Sequence, residues 1–286
     1  LATAIVAQLP ADARRVIVKT RIVRIGAKGI GGARAHLRYL QRDGTTRAGE
    51  RGELYGRDTD VADGKSFLAR CDGDRHQFRV IVSPEDGDQY EDLKSVVRRL
   101  MSQAEADLKT SLDWVAVDHF NTGHPHSHIM IRGVDDRGQN LVITPAYIAQ
   151  GLRERAMEIV NDDLGPRTRL EMERSDRREI DQHRLTGIDR RMLASVEHGI
   201  ARAVHSDPHE QSLRAGRLQA LGKLGLATEI GQGSWKLDEG LEDKLRRMGE
   251  RGDIIITMQR LLRQELPDRP AIDQAIFDPK DGQTIV

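Results

Sequence analysis

Apolar and polar positions change period along the first part of the chain, and each period predicts a different element. In residues 16–25 (VIVKTRIVRI) apolar and basic side chains alternate, which is typical of a strand with one solvated face. A glycine-rich stretch follows at 26–32, and the next residues, ARAHLRYLQRDG, place Leu37 and Leu40 at helical spacing. Residues 42–63 are rich in glycine and charge, so we expect a loop there.

The middle of the chain continues with strands and helices in alternation. The predicted elements are a strand at 77–82, an amphipathic helix at 91–108, strands at 114–119 and 127–133 that flank the loop FNTGHP, and a helix at 144–163. The last helix begins at Thr144-Pro145, because threonine caps helices well and proline is tolerated at the first helical position. This order predicts an α+β fold with a central antiparallel sheet flanked by helices.

The pattern changes after residue 166. Residues 167–205 are largely charged, which predicts a linker or a solvated helical segment, and 206–286 are expected to form a smaller, mostly helical accessory domain. Within it, a leucine-rich helix at 211–224 precedes two short strands that meet at the turn 231–233. A helix followed by such a hairpin resembles a winged helix, a common nucleic-acid-binding module. Plain packing of a helix on a hairpin is an equally weighted alternative.

Composition excludes several classes of protein. The chain has 286 residues, of which 38% are hydrophobic, and no apolar run approaches the roughly 18 residues that a membrane-spanning helix needs. The apolar start at 1–10 is followed, not preceded, by Arg14 and Arg15, so we do not expect a secretory signal. The single cysteine, Cys71, excludes an internal disulfide and suits a reducing cytosol. The sequence therefore predicts a cytoplasmic protein without membrane insertion.

The balanced charge of the whole chain hides a basic N-terminal region. There are 45 Lys and Arg residues against 45 Asp and Glu, but residues 1–56 hold 11 basic and four acidic residues, an excess of seven positive charges. Only nine of the basic residues are lysine, and arginine is the side chain whose planar fork suits bidentate contacts to phosphate. A bias in codon composition is the alternative explanation for the number of arginines, although it explains their N-terminal concentration less well.

Four of the ten histidines lie within ten residues, in the string HFNTGHPHSH at 119–128. Side chains alternate faces along a strand, so His126 and His128 project from the same face. If the two flanking strands pair as a hairpin, His119 lies opposite His126, and three imidazoles can converge on one ion. Three neutral imidazoles suit a divalent metal such as Mn, Co, Ni or Zn and leave coordination positions open. The alternative is a set of exposed or core histidines without a ligand.

The chain has only four tyrosines, and one of them is a candidate nucleophile. Tyr39 lies in the predicted basic helix, with Arg34, Arg38 and Arg42 around it and His36 one turn back. Nearby cations favour the phenolate, whereas a phenol with its ordinary pKa of about 10 is a poor nucleophile at neutral pH. The alternative is a tyrosine that packs beside the helix leucines with its hydroxyl at the surface.

Two strings of the sequence resemble the motifs of a known enzyme family. DHFNTGHPHSHIMIRG resembles the third motif of conjugative relaxases, the nickases of the HUH endonuclease superfamily, and AHLRYLQRDG resembles their first motif, which carries the tyrosine. The two motifs occur in the expected order, about 80 residues apart. The chain is most similar to relaxases allied to the T-DNA border endonuclease of type IV transfer systems. The resemblance extends over residues 14–191.

The resemblance implies roles for individual residues. Tyr39 matches the nucleophile, and the three metal ligands of the family fall on His119, His126 and His128. The metal expected from the resemblance is a divalent ion, Mg or Mn first, with Zn, Co or Ni as alternatives. The residues expected to contact DNA are Lys19, Arg21, Arg34, Arg38 and Arg42.

The chain departs from the family pattern at Asn121, where such enzymes often have aspartate. Asparagine cannot act as a general base, but Asn121 is still a candidate for supporting the metal ligands. The other candidates for the base or for that support are Asp118, His124, His76, Asp72 and Asp74. His124 is also a candidate DNA contact. His76, which borders the strand at 77–82, either reaches the sheet face or lies at the surface.

The implied function is site- and strand-specific nicking of single-stranded DNA at the transfer origin of a plasmid or mobile element. A relaxase nuclease domain is then expected at 1–166, with relaxosome accessory proteins and a type IV coupling protein as partners, and with export to a recipient cell attached to DNA. Alternatives are a rolling-circle replication initiator, a histidine-metal phosphodiester hydrolase that forms no covalent adduct, and a non-catalytic DNA-binding regulator.

Overall fold

The computed structural model describes residues 10, 12–25, 30–42, 45–120 and 124–251. These residues form two compact units, one that ends at Pro166 and one that begins at Arg167. The strands and helices of the first unit are β1 (Val16–Arg24), α1 (Gly31–Leu40), α2 (Gly64–Arg70), β2 (His76–Pro84), α3 (Lys94–Leu108), β3 (Trp114–His119), β4 (His126–Arg132) and α4 (Leu152–Leu164).

The four strands of the first unit form one antiparallel sheet in the order β1-β2-β4-β3. The predicted α+β fold with a central antiparallel sheet flanked by helices is therefore confirmed. The neighbours β3 and β4 are the predicted hairpin, whereas β2 lies between β1 and β4 although α3 and β3 separate β2 from β4 along the chain.

Alternation along the strands gives the sheet two faces with different roles. One face carries apolar side chains that join the apolar stripes of α3 and α4 in the main hydrophobic core. Its central members are Phe78, Val80, Ile129, Ile131 and Ala116. The opposite face carries His119, His126 and His128, and α1 lies over it.

One of the two helices starts later than the sequence predicts. The amphipathic helix expected from 91 begins at Lys94, because the backbone N–H of Leu93 is held by the carboxylate of Asp118 at 2.9 Å. The helix expected from Thr144 is helical from Pro145, as predicted, and passes through a wide π-type turn at Tyr147–Gly151 before regular α4. It ends at Gly165, whose φ of 68° lies in the left-handed region that glycine adopts without strain.

The second unit contains a small antiparallel sheet and helices. Its elements are α5 (Arg169–Glu179), α6 (Gly187–Leu193), β5 (Ile200–Arg202), α7 (Pro208–Lys223), β6 (Ala227–Gly231), β7 (Ser234–Leu237) and α8 (Leu241–Arg251), with the strands in the order β5-β7-β6. Residues 167–205, expected as a charged linker or helical segment, thus include two helices and a strand, and Ile188 and Met192 of α6 are buried.

The helix-and-hairpin pattern of the second unit is present as α7, β6 and β7, with β5 as a third strand. A DNA-reading helix would need exposed basic side chains, but the two arginines of α7, Arg214 and Arg217, are buried. The winged-helix interpretation stays a prediction, and the last part of the expected accessory domain, 252–286, lies outside the described residues.

Candidate metal centre and nucleophile

Three histidines of the β3–β4 hairpin converge on one face of the sheet. His119 pairs directly with His126 across the hairpin, and His128 follows two residues later on the same face. One ring nitrogen from each histidine lies within 4.8 Å of the other two, and the ring centroids are 4.6–5.3 Å apart. All three side chains are buried, with at most 3% of their surface exposed. The hairpin register therefore produces the cluster that the sequence spacing suggests.

Backbone carbonyls orient two of the three rings. His119 Nε2 lies 2.8 Å from the carbonyl oxygen of Leu40, and His126 Nδ1 lies 3.0 Å from that of His124. A carbonyl accepts a hydrogen bond only from a protonated nitrogen, so the second nitrogen of each neutral ring keeps its lone pair. His128 Nε2 is buried and has no hydrogen-bond partner within the described ranges. These nitrogens are suited to donate electron pairs to a cation.

Burial keeps the three imidazoles neutral. It lowers the pKa of His119 to about 4, and it lowers the pKa of His126 and, more strongly, that of His128. The positive charge of Arg42 adds to the lowering of the pKa of each ring. Since the neutral imidazole is the form that binds metals, the donor set fits a divalent first-row cation.

Tyr39 lies at the C-terminal end of α1, beside this cluster. The carbonyl of the next residue, Leu40, contacts His119, and the guanidinium of Arg42 stacks 4.3 Å from the centroid of the Tyr39 ring. Arg42 also acts electrostatically on all three histidines. One cation therefore connects the phenol with the imidazoles. Tyr39 is partly exposed, as a group that meets a macromolecular substrate must be.

Two residues that the sequence did not predict as site residues also belong to this face. His36, on the inner side of α1, is buried, and its Nδ1 has no hydrogen-bond partner in the described part of the chain. Burial and the neighbouring charge of Arg79 lower the pKa of His36 well below its usual value. A signal for His36 was available, because it shares the helical spacing of the buried Ala33 and Leu40. No local pattern in the sequence around Arg79 indicated that it belongs to this face.

Asp118 lies on the opposite face of the sheet, and this corrects its candidacy as a base or a support for the metal ligands. Its carboxylate accepts hydrogen bonds from the hydroxyls of Tyr55 and Ser127, both at 2.7 Å, and from the backbone of Leu93. Burial raises the pKa of Asp118 despite these bonds. Because neighbours in a strand point to opposite faces, Asp118 and His119 cannot serve the same site.

Three other candidates also lie away from the cluster. His76 is on the core face, where its Nε2 lies 3.0 Å from the Leu141 carbonyl oxygen and its ring packs edge-on against Phe78. Asp74 forms a bidentate ion pair with Arg132 at the far end of β4, about 20 Å along the strand from His126. Asp72 is exposed in the turn before β2. None of these residues fits the role of base.

The remaining predicted site residues differ in how the structure relates them to the histidine cluster. His124 is exposed, and it contacts the cluster through its backbone carbonyl. Asn121 lies outside the described residues. Arg34 and Arg38 are exposed on α1, and the strand register places Lys19 and Arg21 on the face that carries the histidines.

Comparison with known proteins gives two matches to family models. Residues 55–161 match the family described as "Relaxase: MobA/VirD2-like, nuclease domain". This segment includes His119, His126 and His128 but begins after Tyr39. Residues 214–286 match a family described as "Protein of unknown function (DUF3363)". No curated protein matches the chain. Among the described residues, no helix is both long and apolar enough to cross a bilayer.

Proposed function

We propose that the chain nicks single-stranded DNA at a transfer origin through Tyr39, and the premise is the match of residues 55–161 to the MobA/VirD2-like relaxase nuclease family. The observation that carries the proposal is the contact between the Leu40 carbonyl and His119, which holds the end of the tyrosine helix against the histidine cluster. Nucleophile and metal ligands come from motifs about 80 residues apart, and this contact connects them.

The proposed reaction is a transesterification. The hydroxyl of Tyr39 releases its proton to water, and its oxygen attacks the scissile phosphorus in line. A bond from phosphorus to the Tyr39 oxygen replaces the bond to the DNA 3′ oxygen, which takes up a proton as it leaves. The 5′ phosphate is then joined to the protein. One phosphodiester is exchanged for another, so rejoining after transfer needs no nucleoside triphosphate.

Residues around Tyr39 have distinct roles in this proposal. Arg42, stacked on the phenol ring, favours the phenolate by its charge. A divalent cation held by His119, His126 and His128 would neutralise negative charge on a non-bridging oxygen of the scissile phosphate. Three imidazoles suit manganese better than magnesium, which prefers oxygen ligands, and they suit zinc, cobalt and nickel as well.

The basic side chains of this face are proposed to hold the DNA backbone. Arg34 and Arg38 are exposed on α1, and Lys19 and Arg21 of β1 project from the face that carries the histidines; all four carry charge suited to phosphates. Such contacts weaken with salt, because bound phosphates release their counterions. Single-stranded DNA at a transfer origin is the proposed substrate, and relaxosome proteins and a type IV coupling protein are the proposed partners. We propose that the nicking step takes place in the cytoplasm.

The test is a search for the covalent adduct. A pool of 3′-end-labelled single-stranded oligonucleotides is incubated with the full chain and Mn²⁺, and the products are separated by denaturing electrophoresis. We expect label at the mass of the protein, its loss in Tyr39→Phe, and its retention in Tyr90→Phe. Tyr90 makes the matched control because its hydroxyl donates to Asp163, at 3.0 Å. Labelled fragments with a free 5′ phosphate and no adduct would favour the hydrolase instead.

A further inference from the structure

Two arginines meet side by side on the histidine face of the sheet. Arg21 of β1 pairs directly with Arg79 of β2, so their side chains project from the same face at adjacent positions. Like charges opposite each other on a sheet destabilise it. Arg21 therefore adds positive charge beside Arg79, and the groups that face Arg79 decide how far its own charge is compensated.

The protein itself provides little compensation for Arg79. Its guanidinium donates to the side-chain oxygen of Gln77 at 3.2 Å and to the carbonyl of Gly32 at 3.4 Å, and both acceptors are neutral. No carboxylate of the described residues forms an ion pair with Arg79, which is partly buried. Burial and Arg21 lower the pKa of Arg79, but a guanidinium keeps its proton in proteins. The shift thus represents a free-energy cost that a bound anion would relieve.

The position of Arg79 points to the substrate of the proposed reaction. Ile81 pairs with His128 and Arg79 pairs with Met130, so Arg79 and His128 are diagonal neighbours, about 7–8 Å apart at the backbone. The α1 helix lies over both the arginine and the histidine cluster, because its Gly32 carbonyl accepts from Arg79 and its Leu40 carbonyl contacts His119. An anion at Arg79 would lie next to the metal centre and under the helix that carries Tyr39.

We propose that Arg79 and Arg21 form a second phosphate site, which binds the DNA backbone beside the scissile phosphate. The proposal rests on the proposed function, since it takes single-stranded DNA as the ligand. Arg79 is then a binding residue that positions the strand, in addition to its contact with the first turn of α1. A polyanionic strand is favoured over a single small anion because Lys19, opposite Ile81, continues the basic row along β1.

The first experiment measures the salt dependence of binding, which does not require nicking. A fluorescent 20-mer of thymidine is titrated with the full chain at several salt concentrations. For single strands the slope of log affinity against log salt changes by about 0.7 for each phosphate contact. We expect a slope reduced by about that amount in Arg79→Gln and affinity reduced about tenfold. The control Arg137→Gln removes the same charge from a turn beyond β4, where Arg137 is 79% exposed, and should leave the slope unchanged.

The second experiment locates the contact on the strand. In an oligonucleotide that yields the Tyr39 adduct, each phosphate near the nick is replaced in turn by a neutral methylphosphonate. The wild type should lose about tenfold in affinity at one position beside the nick, and Arg79→Gln should show no further loss there. If Arg79→Gln does not fold, Arg21→Gln on the edge strand replaces it in both experiments.

The outcomes separate this inference from the proposed function. Equal salt slopes for wild type, Arg79→Gln and Arg137→Gln would overturn the phosphate site, whether or not an adduct forms. A reduced slope without any adduct would keep the phosphate site and reject the nickase. A melting temperature lowered in Arg79→Gln, with its slope unchanged, would assign Arg79 to holding α1 alone.

Discussion

The two units of the chain each bury a polar cluster, and the clusters differ in how completely the protein satisfies them. In the second unit Arg217 of α7 and Asp189 of α6 form a bidentate ion pair in which neither side chain is exposed. Arg217 also donates to the carbonyls of Ile180, Gln182 and Arg184 at 2.7–3.0 Å. Asp189 accepts from the backbone and hydroxyl of Thr186, both at 2.8 Å.

The histidine cluster of the first unit is arranged differently. His119 and His126 are each oriented by a carbonyl, but His128 Nε2 is buried without a hydrogen-bond partner in the described ranges. Leaving a buried polar atom unsatisfied costs about 1–3 kcal/mol. A cluster whose polar atoms all hydrogen-bond to one another or to the backbone stabilises the fold. A cluster whose ring nitrogens keep lone pairs directed at a common point is suited to bind a ligand. The arginine of α7 is therefore part of a satisfied structural cluster, whereas α1 lies over a cluster that is suited to a ligand.

Breaking the ion pair of the second unit should have the largest effect on stability. Asp189→Ala leaves the buried charge of Arg217 without its counter-charge, so we expect a loss of about 3–5 kcal/mol in the free energy of unfolding. The loss is measured by urea unfolding of Asp189→Ala in a Trp114→Phe background, in which the remaining tryptophan, Trp235, reports on the second unit. The double variant Asp189→Leu with Arg217→Met should lose less, since no buried charge remains; an equal loss would contradict the comparison.

Metal should stabilise the first unit and leave the second unchanged. At a free Mn²⁺ concentration 100 times its dissociation constant, the gain in unfolding free energy is about 2.7 kcal/mol. In Trp235→Phe protein the remaining tryptophan is Trp114, on the same strand as His119. The unfolding free energy that Trp114 reports should rise with Mn²⁺ and return to its metal-free value when a chelator is added. In Trp114→Phe protein no shift is expected. The same shift at both reporters would mean that the cation binds elsewhere or non-specifically.

A single substitution within the histidine cluster should give the smallest change in unfolding free energy, and in metal-free protein this change should be a gain. His128→Leu removes an unsatisfied buried nitrogen, so in metal-free protein it should raise the unfolding free energy by about 1 kcal/mol while abolishing stabilisation by Mn²⁺. His119→Leu is the matched control: it deprives the Leu40 carbonyl of its partner and should lower stability. Chemical denaturation with a chelator present checks both variants. Equal losses in the two would show that the imidazoles serve packing.

Much of the sheet and of the histidine cluster could be predicted from local pattern. The alternation in β1, the apolar face of α3 and the spacing of His126 and His128 are each set by neighbours a few residues away, so sequence periodicity was enough. His119 was placed by the assumption of a hairpin, and the register agrees with that assumption. The alternation of faces along β3 already separates Asp118 from His119, so Asp118 could have been excluded from the sequence. The face on which His76 lies was decided only by packing.

The sequence by itself determined which side chains could share a face, because strand and helix periods are local properties of the backbone. The tertiary structure decided which faces meet. The order β1-β2-β4-β3 brings Arg79 beside His128 and Arg21 beside Arg79, and α1 contacts this face at Arg79 and His119. Such neighbours depend on burying apolar surface between segments far apart in the chain, and no local period encodes that choice.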